Sequence, residues 1–351
     1  MIPLVRRRMS YTALAVSAAV LASCSASGDV ELGTDWEGSQ TFVTASVSGR
    51  TVVVGINPSA RHAQALAVVP EKDGDDDVRA PQLVRSADGT WWLSTPRKGE
   101  RPDRLFTLDT ARHVLDEKGD TGRLRELVPG KSLVAAVHGS PEGGRSAAEA
   151  GRESTGVLVR DARTWKGVRS TRVPGPVTLT ASDPSSDTVC LATGQGADTE
   201  VSVLDLTTGR TGRAVRSAGL QVQQLACPAG TPVLAGSPAG NGPGATVEVT
   251  LRRADGATVV SVDGGRVDAL QASGGTVAVA VNRGQDSDLV ELDRASGREL
   301  GRVTVTGMDN SYLLRHTRDG WVMVSDSTAT VVDLSGGTFW TFGLPGTLTS
   351  F

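Results

Sequence analysis

Two stretches of the sequence say nearly the same thing. Residues 203–210 read VLDLTTGR, and residues 290–298 read VELDRASGR. Each is a short apolar run, then Asp, a few polar residues and Gly. The pattern recurs at Asp109 (FTLDTARH, with His in the Gly place), Asp161 (LVRDARTW), Arg252 (VTLRRADG) and Asp333 (VVDLSGG). A divergent first copy falls at Pro70 (AVVPEKDG), which gives seven copies spaced 39–52 residues apart. A second series of apolar runs interleaves with the first, one to one. These are TVVVG at 51, TWWLS at 90, SLVAA at 132, TVCLA at 188, TPVLA at 231, TVAVA at 276 and WVMVS at 321. A chain that repeats at this period must bury its apolar faces by stacking one supersecondary unit on the next.

The runs are short, rich in Val and Thr, and bounded by Gly, Asp, Ser and Pro, which is the composition of strands. The Asp accepts hydrogen bonds from the backbone just after it and starts a turn. The Gly takes the left-handed conformation that closes the hairpin. Four short strands per unit at this period read as a propeller blade. Helical solenoids have similar periods but need long amphipathic helices, and no such pattern occurs. The expected fold is therefore all-β: a seven-bladed β-propeller of four-stranded antiparallel blades over residues 39–351. Inner strands are expected at TFVTAS (41–46), PVTLTA (176–181), QVQQLAC (221–227), VDALQAS (267–273) and SYLLRHT (311–317). The second series supplies second strands, and each Asp turn joins a third strand to a fourth. Either VELGTDW (30–36) or the tail GTLTSF (346–351) is expected to supply the strand that closes the ring.

The stretch V-x-V-L-D-x-x-T-G at 201–209 resembles the blades of the bacterial propeller superfamily that includes the pyrroloquinoline-quinone, YVTN and WD40-like repeats. The resemblance implies architecture. It implies no activity, because the Trp-Asp dipeptide is missing and Arg213 and Gly301 stand where quinoprotein blades carry Trp. By analogy with such propellers, ligands dock on the face that carries the loops between second and third strands. One of these loops is long: HGSPEGGRSAAEAGREST, residues 138–155. It reads either as a tolerated polar insertion or as a recognition loop.

The amino terminus has its own pattern. Arg6, Arg7 and Arg8 precede an apolar stretch, Tyr11 to Leu21, that is too short to span a bilayer. It ends in Leu21-Ala22-Ser23-Cys24, which resembles the lipobox of bacterial lipoproteins. The resemblance implies a signal peptide at 1–23, lipidation of Cys24 and a tether at 24–38. Three consecutive Arg also fit a twin-arginine export signal, although Met9-Ser10 depart from that pattern. No later apolar run reaches the ~20 residues of a membrane span. The expected location is the outer face of the cytoplasmic membrane, held by lipid. Arg exceeds Lys and Ala, Gly and Val abound, which resembles the composition of high-GC actinobacterial proteins. The net charge of −3 becomes −6 without residues 1–23, so a nucleic-acid partner is not expected. With Cys24 lipidated, Cys190 and Cys227 remain. An even pair in an oxidising compartment reads as a disulfide, two buried thiols being the other reading.

The sequence is poor in catalytic signatures. Its four histidines, His62, His113, His138 and His316, show no i, i+4 pair, and neither HExxH nor Gly-x-Ser-x-Gly occurs. Counted back from the following second strand, His316 aligns with Arg85, Gln271 and Ser46. Inner-strand positions converge on a propeller's channel, so Arg85, Gln271 and His316 could coordinate an anion or small polar ligand. The plainer reading is a merely polar channel. DGDDD at 73–77 starts like a calcium loop, but Val78 stands where Gly is needed and Val84 where Glu belongs, so a solvated turn is expected. Trp91 and Trp92 should face opposite sides of one strand as core. No catalytic residue, metal or cofactor is expected. The expected function is a monomeric, membrane-anchored extracytoplasmic module, non-enzymatic, that binds or scaffolds an envelope protein or a small polar ligand. The alternatives are a propeller-class enzyme, such as a lactonase or quinoprotein dehydrogenase, and a structural envelope spacer.

Overall fold

Val277, Val279 and Val281 point one way from their strand, and Ala278 and Ala280 point the other. Both sets are buried, because a sheet lies against each face of this one. That is why the runs between the turns are apolar throughout: the middle of every sheet is covered on both sides. A computed structural model of the chain describes residues 30–349, apart from 71–79, 98–100, 139–153, 195–197, 213–214, 218, 241–245 and 254–255.

Seven four-stranded antiparallel sheets follow one another round a ring. Blade 1 holds β1 (Thr41–Val47), β2 (Arg50–Asn57) and β3 (His62–Val68). Blade 2 holds β4 (Gln82–Arg85), β5 (Trp91–Thr95), β6 (Arg104–Asp109) and β7 (Val114–Asp120). Blade 3 holds β8 (Leu124–Pro129), β9 (Leu133–His138), β10 (Ser154–Asp161) and β11 (Gly167–Pro174). Blade 4 holds β12 (Val177–Ser182), β13 (Thr188–Thr193), β14 (Glu200–Asp205) and β15 (Val215–Arg216). Blade 5 holds β16 (Leu220–Ala226), β17 (Val233–Pro238), β18 (Val247–Arg253) and β19 (Gly256–Val262). Blade 6 holds β20 (Arg266–Ser273), β21 (Thr276–Asn282), β22 (Ser287–Asp293) and β23 (Glu299–Val305). Blade 7 holds β24 (Leu313–Thr317), β25 (Gly320–Val324), β26 (Thr328–Asp333) and β27 (Thr338–Gly343). The last strand, β28 (Thr347–Leu348), returns to blade 1 and pairs with β1. Among the described residues there is no α-helix, and no helix is long and apolar enough to cross a membrane.

The repeated Asp does what its spacing predicts. Asp205 accepts hydrogen bonds from the amides of Thr207 (2.8 Å) and Thr208 (3.2 Å), and the Gly209 amide closes onto the Asp205 carbonyl at 2.7 Å. Gly209 sits at φ 71°, in the left-handed region. Trp165 and His113 take the same place at φ 59° and 57°, without the freedom of glycine. Blade 5 differs, because Arg253 lies directly opposite Gly256 and the hairpin is tighter than an Asp turn allows.

Blade 1 departs from the expected assignment. The first copy of the turn is at Asn57, not Pro70: the Asn57 side chain accepts from the Ala60 amide at 3.0 Å, and Arg61 is left-handed at φ 55°. So β2 is a third strand and β1 a second strand, one place further out than TVVVG and TFVTAS suggest. The inner place belongs to the tail, where Leu348 pairs with Ala45 and Thr347 with Ser46. Of the two expected closures, the tail is the one the sheet uses. Residues 30–36 instead form a strap. Gly33 donates to the Ala65 carbonyl at 2.8 Å on the outer side of the blade, Asn57 donates to Asp35 at 2.6 Å, and buried Trp36 stacks on His113 of blade 2 at 5.5 Å. The ordered body therefore begins before residue 39.

Cys190 in β13 and Cys227 just past β16 form a disulfide with Cα atoms 5.7 Å apart. It staples the second strand of blade 4 to the inner strand of blade 5. Trp91 and Trp92 face opposite neighbours, Trp91 packing towards blade 1 and Trp92 towards blade 3, as their adjacency predicts.

Candidate functional site

The inner strands β4, β8, β12, β16, β20 and β24 line the axis of the ring. Each runs from the face of the second-to-third-strand loops, here the loop face, to the face of the hairpin turns, here the turn face. Four in succession carry one extra residue near their starting ends: Arg125 in β8, Thr178 in β12, Gln223 in β16 and Asp268 in β20. Such a bulge breaks the alternation of the strand and re-aims a side chain.

The backbone groups near the bulges are taken up by the blade before. The Leu127 amide donates to Gln82 Oε1 at 2.8 Å, and Gln82 Nε2 donates to the Arg125 carbonyl. The Val267 amide donates to Gln223 at 2.7 Å, and the Ser311 amide to Asp268 at 2.9 Å. The Leu124 amide donates to Asp103 at 2.8 Å, and the Val177 amide to the Thr155 hydroxyl at 3.0 Å. Side chains thus bridge the inner strands, which do not pair with one another.

A cavity of about 390 Å³ opens at the loop face between blades 2, 3 and 4. Gln82, Ser94, Asp103, Arg125, Glu126 and Thr178 supply its polar wall, and Ala80, Pro81, Pro96 and Leu124 the apolar one. Two of its residues, Arg125 and Thr178, are bulge residues. Arg125 is exposed and its Nη2 reaches the Thr178 carbonyl at 3.4 Å. Glu126 lines the same cavity and is half-buried. Loss of water raises the pKa of its carboxyl, and the Thr180 hydroxyl and the Arg125 charge offset this only in part. Asp103 is buried, with one oxygen held by the Leu124 amide.

The three residues expected to form a channel ring lie nearer the turn face. Arg85 and His316 do share a register position, opposite Trp91 and Trp321. The Arg85 guanidinium lies 5.8 Å from the Trp91 ring, and His316 meets Trp321 edge-on at 4.8 Å. Gln271 is one step away, opposite Ala278, so Ala272 holds the position equivalent to His316. The sequence aligned Thr276 with Trp321, whereas the pairing of Thr276 with Asp293 matches it to Gly320. Ser46 lies on a second strand and leaves the set altogether. Gln271 is level instead with Arg315, which lies opposite Val322 in β24. Burial alone lowers the Arg315 pKa to about 10, and its Nη1 donates to the Leu314 carbonyl at 3.2 Å.

Cys24, the DGDDD stretch and residues 139–153 of the long loop lie outside the described residues. His138, at the near end of that loop, has its Nδ1 3.0 Å from the Arg123 carbonyl, and burial lowers its pKa. Among the described residues, no three His, Cys, Asp or Glu side chains are placed to hold a metal ion. Sequence reasoning missed Gln82, Asp103, Arg125 and Glu126. The available signal was a carboxylate set among leucines, LRELV at 124–128, in a strand whose other faces are core.

No family profile matches the sequence, and no curated protein sequence does. Solved structures do match in shape. Hydrazine synthase of Kuenenia stuttgartiensis superposes with a TM-score of 0.50 at 12% identity, over 91% of this chain and 99% of that one. The chain is a seven-bladed β-propeller. Apo AztD from Citrobacter koseri gives a TM-score of 0.49 at 13% identity, over 88% of this chain and 96% of that one. Hsv2 of Kluyvelomyces marxianus gives 0.49 at 14% identity, over 73% and 77%. At such identities the likeness concerns the fold alone, and function is argued from the site.

Proposed function

We infer that this chain is a lipid-anchored, extracytoplasmic propeller that binds a small polar ligand at its loop face and does no chemistry on it. The observation that carries this reading is the cavity at the mouth of the channel, built from bulged inner strands and walled by Arg125, Glu126, Asp103 and Gln82. Concave sites with a few converging polar groups are where proteins hold small molecules. The Cys190–Cys227 disulfide supports an oxidising compartment. The Leu21-Ala22-Ser23-Cys24 lipobox supports an anchor at Cys24.

Two measurements test the reading. Palmitate labelling of cells should mark the wild-type chain and not Cys24→Ala; persistent labelling refutes the anchor. Native mass spectrometry of the chain purified from its own cells should show a bound organic molecule of low mass, released on denaturation. A bound flat redox cofactor in its place would overturn the non-enzymatic part. Deletion of residues 139–153 asks separately whether the long loop selects the ligand.

A further inference from the structure

The geometry points to a ligand class for this cavity: a small hydroxylated carboxylate, of the size of a sugar acid, with its carboxylate on Arg125 and a hydroxyl on Glu126. The inference rests on the binding reading above and deepens it.

Four features select that chemistry. First, Arg125 and Thr178 are both extra residues in their strands, on adjacent blades, and both line the cavity. Bulges re-aim side chains, and two of the four in this ring meet at the cavity. Second, the charges are unequal in reach. Arg125 is exposed at the mouth, whereas Asp103 is 2% exposed and turned to the Leu124 amide. An incoming ion meets the guanidinium, whose fork matches a carboxylate. Third, Glu126 lies next to Arg125 in the chain, lines the same cavity and is half-buried, with loss of water raising the pKa of its carboxyl. That carboxyl accepts a hydrogen bond from a hydroxyl in either protonation state. Fourth, Ser94 adds a hydroxyl-bearing wall, while Pro81, Pro96 and Leu124 give an apolar side for carbon–hydrogen faces. A volume of about 390 Å³ is at the small end of ligand sites and admits a molecule of about a dozen heavy atoms.

Isothermal titration of the full chain in detergent tests this, with sodium D-glucuronate, sodium D-gluconate and D-glucose as probes. The expected result is binding of at least one of the two acids and none of glucose. Arg125→Met should weaken it by about tenfold or more, and Arg125→Lys by less, since it keeps the charge and loses the fork. Glu126→Gln, which keeps a hydrogen-bonding carbonyl, should bind better than Glu126→Ala. Unchanged thermal unfolding of Arg125→Lys serves as the folding control if Arg125→Met is unstable. Binding of glucose equal to glucuronate overturns the acid assignment, and acid binding that both Arg125 variants leave unchanged overturns the site. If neither acid binds, the ligand class is wrong. The broader reading is then still judged by its own two measurements, labelling at Cys24 and the molecule carried from cells.

Discussion

The Thr349 hydroxyl donates to the Thr44 hydroxyl at 3.1 Å, across 305 positions of the chain. With Leu348 opposite Ala45, this contact closes the ring. Leu348 is 5% exposed and packs among Val43, Val52 and Leu313, between blades 1 and 7. Leu348→Ala should cost about 2–4 kcal/mol, read from urea unfolding. A chain that stops at Leu344 should unfold over a broader transition at lower temperature. Unfolding as sharp as that of the full chain would mean that the ring does not depend on β28.

The Cys190–Cys227 staple closes a loop across 37 positions of sequence, and both residues are buried. By loop-closure entropy, its loss should lower stability by roughly 3–4 kcal/mol. Urea midpoints of the Cys190→Ala/Cys227→Ala pair check this against the oxidised chain. Ellman titration of the denatured wild type should count no free thiol from these two residues.

Arg104 is wholly buried and holds Glu117 by two bonds, Nε–Oε1 at 3.3 Å and Nη2–Oε2 at 3.0 Å, while also donating to the Pro70 carbonyl. Glu117→Ala leaves that cation with less compensation and should cost about 3 kcal/mol. Replacing both partners, Arg104→Met with Glu117→Leu, should recover most of the loss. A double variant as unstable as the single one would show that packing around Phe106, not charge, sets the cost.

Acid should act through the turns. The pKa values of Asp109, Asp161, Asp205, Asp293 and Asp333 are all held below the usual range, chiefly by side-chain hydrogen bonds from Arg112, Thr164, Thr207, Ser296 and Ser335. A depressed carboxyl stabilises the fold above its unfolded value, near pH 4, and that stabilisation is lost as pH falls below it. Glu126 and Asp268 have the opposite sign, since burial raises them and acid relieves their cost. The urea midpoint should therefore decline modestly from pH 7 to 5, where the half-buried His138 disfavours its charged form, and fall further between pH 4 and 2. Asp205→Asn should soften that fall, and an identical acid profile in the variant would remove Asp205 from the account.

Arg315 has the reverse effect on stability. Its side chain is half-buried in the channel, and loss of water pushes its pKa down to about 10. A base with a lowered folded value costs stability at neutral pH, and the cost fades as pH rises past 10. Arg315→Met should raise the urea midpoint at pH 7, because an apolar side chain of similar length pays no desolvation. A lower midpoint would show that the guanidinium is held by more than the Leu314 carbonyl.

The ring was legible because it is periodic, and blade 1 was misread where the period is disguised. Asn57 followed by Pro58 does the work of Asp, and Arg61 that of Gly, so no letter of the motif survives there. Nearby, Pro70 to Gly74 offers a decoy at the expected spacing. β1 and β2 are both apolar on two faces, so composition did not rank them as second and third strands. The disulfide was legible because Cys190 and Cys227 fall on adjacent blades once the blades are counted. The cavity was not legible. A bulge at Arg125 exists only as a relation to β9, its partner strand, and a one-residue slip in a repeat alignment moved Gln271 out of line with His316. Periodicity locates strands, while register decides which side chains meet.

Ring closure by β28 also sets an order of events. Synthesis runs from amino to carboxyl end, so every other described strand is made before β28. Until then β1 carries an open edge, a template for any passing strand. The strand that fills it spans only two residues, Thr347 and Leu348. In this fold, that edge stays open to neighbouring chains until each chain finds its own tail.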